Sequence, residues 1–544
     1  VTDPSVDLIE GKKYLRRDLV LEPELRRPIE QRALPCYLRV AACPHPDTSH
    51  KKSAQDGALA RVGSKTPNPD AAALSRLRAY VCRYISKNLT PLSPDTDVST
   101  MTWLRNSNYP LWRQEQLLEV KDRYVNIYEV VRGRHLLLDC KSFVKSETYP
   151  EWKHPRLINA RHDRFKVETG PIFAAIEKQV FKDEWFIKKI PQMERPNYIK
   201  EHLAYPGAKL FATDFSQYEA SFVAELMECV EFELYSYMVS KLPKGDEFMK
   251  LVRKAMLGEN RCSFRDWLMK LKAKRMSGEM CTSLGNGFTN KMVIKFLCHE
   301  RGAKVRGVVE GDDGLFAVAG ACPTDADFAR LGLTVKLEQH RDFSTASFCG
   351  LVFDEDDLVN VTDPRKVLAT FGWTSRRYLK ARHSTLMSLL KAKAMSVAHQ
   401  YPGCPILGHM ARAMLRLTAS YDVTKVLRSE TWWEKEKRKY FVGEAPFREP
   451  PINTRLLVER LYGISVEFQL EIERYFDNLQ GVGPIEHEFI AYIMPEQWKE
   501  YVRWYSCSEV NERPTRGFPS GMYTEEWQPT QRVGGVLIPG HFVT

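Results

Sequence analysis

Two adjacent carboxylates behind a glycine are the residues in this chain best arranged to do chemistry. They lie in Val308-Val309-Glu310-Gly311-Asp312-Asp313-Gly314-Leu315-Phe316. The apolar runs on either side read as two strands, which puts the acids at a hairpin tip, where they can hold a divalent metal against a phosphate. Asp and Gly are also ordinary turn residues, so the tripeptide alone reads first as a plain hairpin turn. A second acid lies upstream in Lys209-Leu210-Phe211-Ala212-Thr213-Asp214, which reads as a strand with Leu210, Ala212 and Asp214 on one face. If that strand lies beside the hairpin, Asp214 and Asp312 can share two Mg²⁺ ions. Two such ions, about 3.5–4 Å apart, clamp the attacking and leaving oxygens of an in-line phosphoryl transfer. Mg²⁺ suits the task because it takes carboxylates, waters and substrate phosphates together. Asp214 also reads as the N-cap of a helix over residues 216–230.

Between the acids comes Ser277-Gly278-Glu279-Met280-Cys281-Thr282-Ser283-Leu284-Gly285-Asn286. Ser277 and Gly278 read as a flexible loop, and a helix follows to about residue 300. On it Thr282 and Asn286 stand one turn apart, while Phe288, Met292 and Phe296 form a separate apolar face. A polar pair on a buried helix needs partners. A ribose 2′-hydroxyl is a suitable one, being both donor and acceptor, and so is a loop backbone.

These segments, in this order, resemble motifs A, B and C of viral RNA-dependent RNA polymerases of positive-strand RNA viruses. Asp214 to Glu219 corresponds to A, Ser277-Gly278 with Thr282 and Asn286 to B, and Gly311-Asp312-Asp313 to C. Upstream, Lys145-Ser146-Glu147, Lys153-His154-Pro155-Arg156-Leu157-Ile158, Arg161 and Arg164 resemble the basic motif F of the tombusvirus-like and nodavirus-like members. Leu331 to Lys336 resembles motif D and Ser347-Phe348-Cys349-Gly350-Leu351 motif E. Asp363 to Leu368 and Tyr401-Pro402-Gly403-Cys404-Pro405 look like the start of a thumb. The resemblance covers about residues 100–410.

The resemblance implies an α+β right-hand fold of fingers, palm and thumb, its antiparallel palm sheet carrying the Gly-Asp-Asp hairpin. It also implies RNA synthesis by two-metal nucleotidyl transfer. Asp214 and Asp312 would bind Mg²⁺ (Mn²⁺ substituting), with Asp313 and the Phe215 carbonyl contributing, and Lys336 would act as general acid to pyrophosphate. Lys145, Lys153, Arg156, Arg161 and Arg164 would neutralise triphosphate charge, Arg being suited to bidentate phosphate contact; without motifs A to C they read first as a solvated basic face. Ser277, Gly278, Thr282, Asn286 and Glu219 would line the ribonucleotide site. At Glu219 the family usually has Asp, and the extra methylene alters the inherited geometry. An acid there still argues for ribonucleotides, because a reverse transcriptase would place an apolar side chain at this point. A non-catalytic RNA-binding scaffold is the other alternative, and an intact metal site argues against it.

Bulk properties fit this reading. The chain has 544 residues, 43% hydrophobic and 27% charged, and Lys+Arg 80 against Asp+Glu 69 gives +11. That excess suits a nucleic-acid partner. Basic residues collect between residues 145 and 200, and again at Arg376, Arg377, Lys380, Arg382, Lys391 and Lys393. The 12 cysteines form no Cys-x-x-Cys pair and read as reduced cytosolic thiols. Cys36, Cys43, His45 and His50 are a weak zinc candidate, because their spacing matches no known finger. No apolar run is long enough to span a membrane; residues 221–240 come closest and are excluded by Glu225, Glu228, Glu231 and Glu233.

The expected organisation begins with an N-terminal extension bridging fingers to thumb over residues 1–100, with a loop or linker near 45–70. Fingers follow over 101–205, and a palm over 206–365 with a fingers insertion near 216–275. Thumb helices and a tail occupy 366–544. Asp70 reads as the N-cap of a helix carrying Leu74, Leu77, Tyr80 and Val81. Leu386, Leu389, Leu390, Met395 and Val397 read as thumb helix, and the tail from Arg513 is Pro/Gly-rich with Trp527 and Phe542. The expected partners are template and nascent RNA, ribonucleoside triphosphates and other viral replication proteins. The expected location is host cytoplasm at membrane-associated replication complexes. The chain begins at Val1 and reads as a fragment of a longer translation product.

Overall fold

The computed structural model describes residues 7–10, 31–43, 48, 51–107, 109–123, 130–131, 134–151, 153–265, 267–375, 378, 380–429, 445–505, 532–533 and 536–537. Within these, helices and two principal sheets form a mixed α+β structure.

The first sheet has four strands, all antiparallel. Lys304–Glu310 pairs with Asp313–Ala319, which pairs with Lys209–Phe215, which pairs with Val335–His340. The strand ending in Asp214 therefore does lie beside the acid hairpin, with Thr213 opposite Gly314. Register places Glu310 opposite Asp313, leaving a two-residue turn of Gly311 and Asp312. Gly311 has φ +67°, the left-handed backbone that a II′-type turn requires at its first central position and that glycine adopts without a steric cost.

One helix, Thr282–Glu300, forms the spine of the largest core. Phe288, Met292 and Phe296 are buried as expected, but so are Asn286, Thr289, Asn290 and Lys291 on other faces. The helix is enclosed on all sides rather than amphipathic. Each large apolar side chain it buries contributes about 1.5–3 kcal/mol, which is what can offset the cost of burying its polar residues. Packed against it is the helix Ala71–Asn88, which starts where the sequence indicates. Asp70 accepts hydrogen bonds from the Ala72 and Ala73 amides, and Leu74, Leu77 and Val81 are buried.

The second sheet has five strands, in the order Asp7–Glu10, Trp267–Lys272, Glu259–Ser263, Asp139–Val144, Leu157–Arg161. Beneath it a small core joins Cys140, Leu157, Cys262, Met269 and Leu271 to Ala54, Ala58 and Val62. Those last residues come from the helix Lys51–Arg61 and its end, inside the stretch read as a loop. The helix buries only Ala54, Gly57 and Ala58, so its sequence has no strong apolar stripe to announce it. A third core unites Leu34 to Cys43 with the helices His383–Gln400, Leu407–Leu417 and Val466–Asp477.

Other expectations change. Residues 216–230 do not form one helix. Short helices Tyr218–Ser221 and Ala224–Cys229 are separated from each other and from Glu231–Val239 by non-helical Phe222 and Val230. Asp214 sits within its strand, and Gln217, at φ +51°, occupies the N-cap position instead. Cys36 and Cys43 are buried in the apolar third core, where burial pushes both thiols up to about 12, the reverse of what a thiolate metal ligand needs. His45 and His50 lie outside the described residues, as do Arg376, Arg377, Trp527 and Phe542. Lys391 donates to the Ala419 and Tyr421 carbonyls and Lys393 to that of Trp373, so these two cations tie elements together. Among the described residues no helix is long and apolar enough to cross a membrane. Glu231, which counted against a span, is itself fully buried.

Candidate active site

The acid hairpin is held from two directions. Asn290, one turn beyond Asn286 on the central helix, donates its amide to the Asp312 carbonyl at 3.0 Å and the Gly311 carbonyl at 3.4 Å. Beside the turn Arg195 pairs with Glu310 over 2.8 Å. Register and electrostatics bring the three aspartates together. Burial pushes the Asp312 carboxyl above its usual range, and the charges of Glu219 and Asp214 push the same way against the relief given by Arg156. Asp313 is pushed up to about 6, first by burial and then by Asp312, Glu310 and Asp214. Both residues are nonetheless exposed, so solvent screens part of the repulsion among these carboxylates. Carboxylates crowded in this way gain by taking a cation between them. An all-oxygen donor set fits Mg²⁺.

One cleft joins this floor to the basic segment. It is lined by Arg61, Lys145, Arg156, Leu157, Ile158, Asn159, Glu219, Ser277, Thr282, Asn286 and Asp312. Lys145 pairs with Glu147 over 2.9 Å, and Arg156 approaches the same carboxylate at 3.6 Å. Lys153 lies over the Tyr149 ring, 4.8 Å from its centre. The loop before the central helix is docked rather than flexible. The Ser277 hydroxyl donates to the Leu157 carbonyl at 2.8 Å, and a Cβ on Gly278 would stand 2.8 Å from the Asn159 carbonyl oxygen. Thr282 turns its hydroxyl to the Glu279 carbonyl at 3.0 Å, which fixes the start of the helix. Asn286 is buried, its backbone carbonyl accepts from the Tyr218 hydroxyl at 3.1 Å, and its side-chain Oδ1 has no partner. A buried amide oxygen left open at a cleft wall is a site for a donor.

Comparison with known proteins bears on this arrangement. Residues 258–481 match the family described as viral RNA dependent RNA polymerase, a span that includes Ser277 to Asn286 and the acid hairpin. Two curated proteins are similar in sequence. The RNA-directed RNA polymerase of Panicum mosaic virus (strain United States/Kansas 109S) is 23% identical over 456 residues, 76% of this chain and 42% of the relative. That of Greasy grouper nervous necrosis virus is 24% identical over 305 residues, 52% of this chain and 29% of the relative. The chain resembles the viral RNA-dependent RNA polymerases. The matched part spans less than half the length of either relative, at 42% and 29%.

Two residues assigned to triphosphate by resemblance to these polymerases face inward. Arg161 is fully buried; it bonds Glu279 through Nε at 2.8 Å and through Nη2 at 2.5 Å, and donates to Asn260. Arg164 donates to the Lys121 carbonyl and pairs with Glu168 over 2.6 Å. Both are structural cations, and the positive charge lining the cleft comes from Arg61, Lys145 and Arg156. The signal was present in the strand itself: Leu157, Asn159 and Arg161 share parity and are buried, whereas Ile158 and Ala160 point the other way. Lys336 stands opposite Asp214 in register. Its ammonium is exposed and pairs with Glu338, which raises its pKa.

Three buried residues that support the polymerase-like cleft were not read as part of it from the sequence: Glu279, Arg275 and Glu231. Glu279 bridges Arg161 and Arg275, Arg275 pairs with Glu231, and Glu231 accepts from Tyr235 at 2.8 Å. Burial works against the Arg275 charge, but Glu231 and Glu279 outweigh it and hold its pKa well above the usual value. This network fastens the strand of Arg161, the loop of Ser277 and the helix Glu231–Val239 to one another. Asn290 also escaped notice, since an Asn in a helix interior gives no local sign of what it grips.

Proposed function

We propose that this chain is an RNA-dependent RNA polymerase of a positive-strand RNA virus, extending a nascent strand from ribonucleoside triphosphates on an RNA template. The observation that carries the reading is the single cleft in which Lys145 and Arg156, Glu219, Ser277, Thr282 and Asn286, and Asp312 converge from four separate parts of the chain. Asp214, Asp312 and Asp313, with the Phe215 carbonyl as a further oxygen, would hold Mg²⁺, which would supply charge stabilisation to nucleotidyl transfer.

The remaining roles belong to the chain's own side chains. Arg156 and Lys145, with Lys153 behind them, bind and orient the triphosphate. Asn286, through its open Oδ1, and Glu219 accept from the ribose hydroxyls. Ser277, Gly278 and Thr282 position that helix end against the basic strand. Lys336, opposite Asp214 in register, would hand a proton to the leaving pyrophosphate after a swing of its flexible stem away from Glu338.

On this reading the four-stranded sheet is a palm, the five-stranded sheet with the basic segment belongs to the fingers, and the helices from about residue 366 form a thumb. RNA and other replication proteins are the partners, in the cytoplasm at membrane-associated complexes. The test is incorporation of labelled ribonucleotide or deoxyribonucleotide on an RNA template, with Mg²⁺ or Mn²⁺ present or chelated. Metal-dependent ribonucleotide incorporation supports the proposal. Preference for deoxyribonucleotides makes the protein a reverse transcriptase, and no incorporation with intact RNA binding makes it a scaffold.

A further inference from the structure

The cleft has one cation that neither the motif resemblance nor the site assignments above include: Arg61. It ends the helix Lys51–Arg61, more than eighty residues before the basic segment, and lines the cleft together with Lys145, Arg156 and Asp312. Its place there is fixed by close packing. Ala54, Ala58 and Val62 are buried against Leu157, Cys140 and Met269. At Gly57 the helix approaches so closely that a Cβ would stand 2.7 Å from the Pro155 carbonyl oxygen. Pro155 immediately precedes Arg156, so the helix and the basic strand share one rigid contact. Just past the helix end, the Ser64 hydroxyl donates to the Ala60 carbonyl at 2.8 Å.

The cations Arg61, Lys145 and Arg156 share the cleft with Glu219 and Asp312. Lys145 and Arg156 share Glu147 as a near counter-ion. Burial, followed by the like charges of Arg61 and Arg156, holds the Lys153 ammonium below its usual pKa. Arg61 Nε is buried with no hydrogen-bond partner. A buried guanidinium N–H without an acceptor costs free energy until an acceptor arrives, and the neighbouring cations select a polyanion as that acceptor. A triphosphate, dense in charge and rich in acceptor oxygens, meets both conditions.

Resting on the polymerase reading above, we infer that Arg61 binds the triphosphate of the incoming ribonucleotide, opposite Arg156, so that the helix Lys51–Arg61 supplies one wall of the nucleotide site. Phosphate carries no base identity, so the contact serves all four nucleotides alike.

The experiment uses the full chain with a primed RNA template, comparing wild type, Arg61→Ala and Arg61→Lys. Inorganic tripolyphosphate serves as a competitor of a fluorescent ribonucleotide in a binding assay that needs no turnover. Arg61→Ala is expected to raise KM for each of the four ribonucleotides by roughly 10- to 150-fold, the loss of one charged hydrogen-bond partner. It should weaken tripolyphosphate competition in parallel and leave RNA affinity and Tm near wild type. Arg61→Lys should recover part of the loss, because it restores charge without the planar fork. Unchanged KM with weakened RNA binding places Arg61 on the template path and overturns the inference, as does unchanged KM with lowered Tm. If wild type incorporates nothing, yet tripolyphosphate binding still depends on Arg61, the polymerase reading falls and the phosphate site stands.

Discussion

Asn290 donates its side-chain amide to the main-chain carbonyl of Asp312 across 3.0 Å, fastening the acid turn to the central helix. The same amide reaches the Gly311 carbonyl at 3.4 Å, and Asn290 itself is 1% exposed. Two otherwise unrelated segments are thereby held in one geometry: the helix that presents Asn286, and the turn that presents Asp312.

Asn290→Ala is therefore expected to reduce kcat more than it raises KM. Stranding a buried carbonyl costs about 1–3 kcal/mol, so Tm should fall modestly while the turn loosens. Steady-state kinetics beside a thermal melt separate these effects. A fall in Tm with kcat intact would reduce Asn290 to a packing residue.

Asp312→Asn should abolish nucleotide addition while leaving the fold and RNA binding largely unchanged. The pH dependence of the metal-free protein gives a second reading of the same cluster. Asp313 is raised from 3.8 to about 6, so between those values the folded state binds more protons than the unfolded one. Its contribution to stability is full below pH 3.8 and is lost as pH rises through about 6. Relative to Asp313→Asn, metal-free wild type should thus lose Tm across that window, and Mg²⁺ should restore it above pH 6. Parallel Tm profiles for the two proteins would contradict the mutual repulsion inferred for these acids.

Arg161→Ala and Arg156→Ala should separate structure from substrate binding on one short stretch of chain. Removing Arg161 leaves Glu279 buried beside a single remaining cation, and breaking such a pair costs about 3–5 kcal/mol. Denaturant unfolding should report that loss. Arg156 is half exposed, so its removal should leave stability near wild type and raise KM for all four ribonucleotides by roughly 10- to 150-fold. If Arg161→Ala proves as stable as wild type, the buried network is not what holds the strand.

Asn286→Ala should shrink the preference for ribonucleotides over deoxyribonucleotides, and Glu219→Ala should do the same. Sites that hydrogen-bond a hydroxyl can discriminate by about 10⁴ or more, because their polar groups are stranded when it is absent. Measured kcat/KM ratios for the two sugars decide it; a ratio unmoved in both variants removes these residues from sugar reading.

The local features of this protein were readable from its sequence because they depend on neighbours along the chain. The Gly311-Asp312 turn, the Asp70 cap and the strand ending at Asp214 are set by backbone preference and short-range hydrogen bonds, and each stands where the residues indicate. Motif order likewise carried the resemblance to polymerases. What a charged side chain does was not readable, because that depends on which segment packs against it. Arg156 and Arg161 are five residues apart and chemically identical, yet one lines a cleft and the other is sealed against Glu279, which lies 118 residues away. Glu231 counts as a surface acid in any local window and is instead fully buried because Arg275 meets it there. The helix Lys51–Arg61 has too little apolar surface to be recognised alone; it is placed by the fit of Gly57 on Pro155. Burying an ion requires a partner and burying a small-residue helix requires a matching surface. Both come from distant parts of the chain, so only the tertiary structure could decide them.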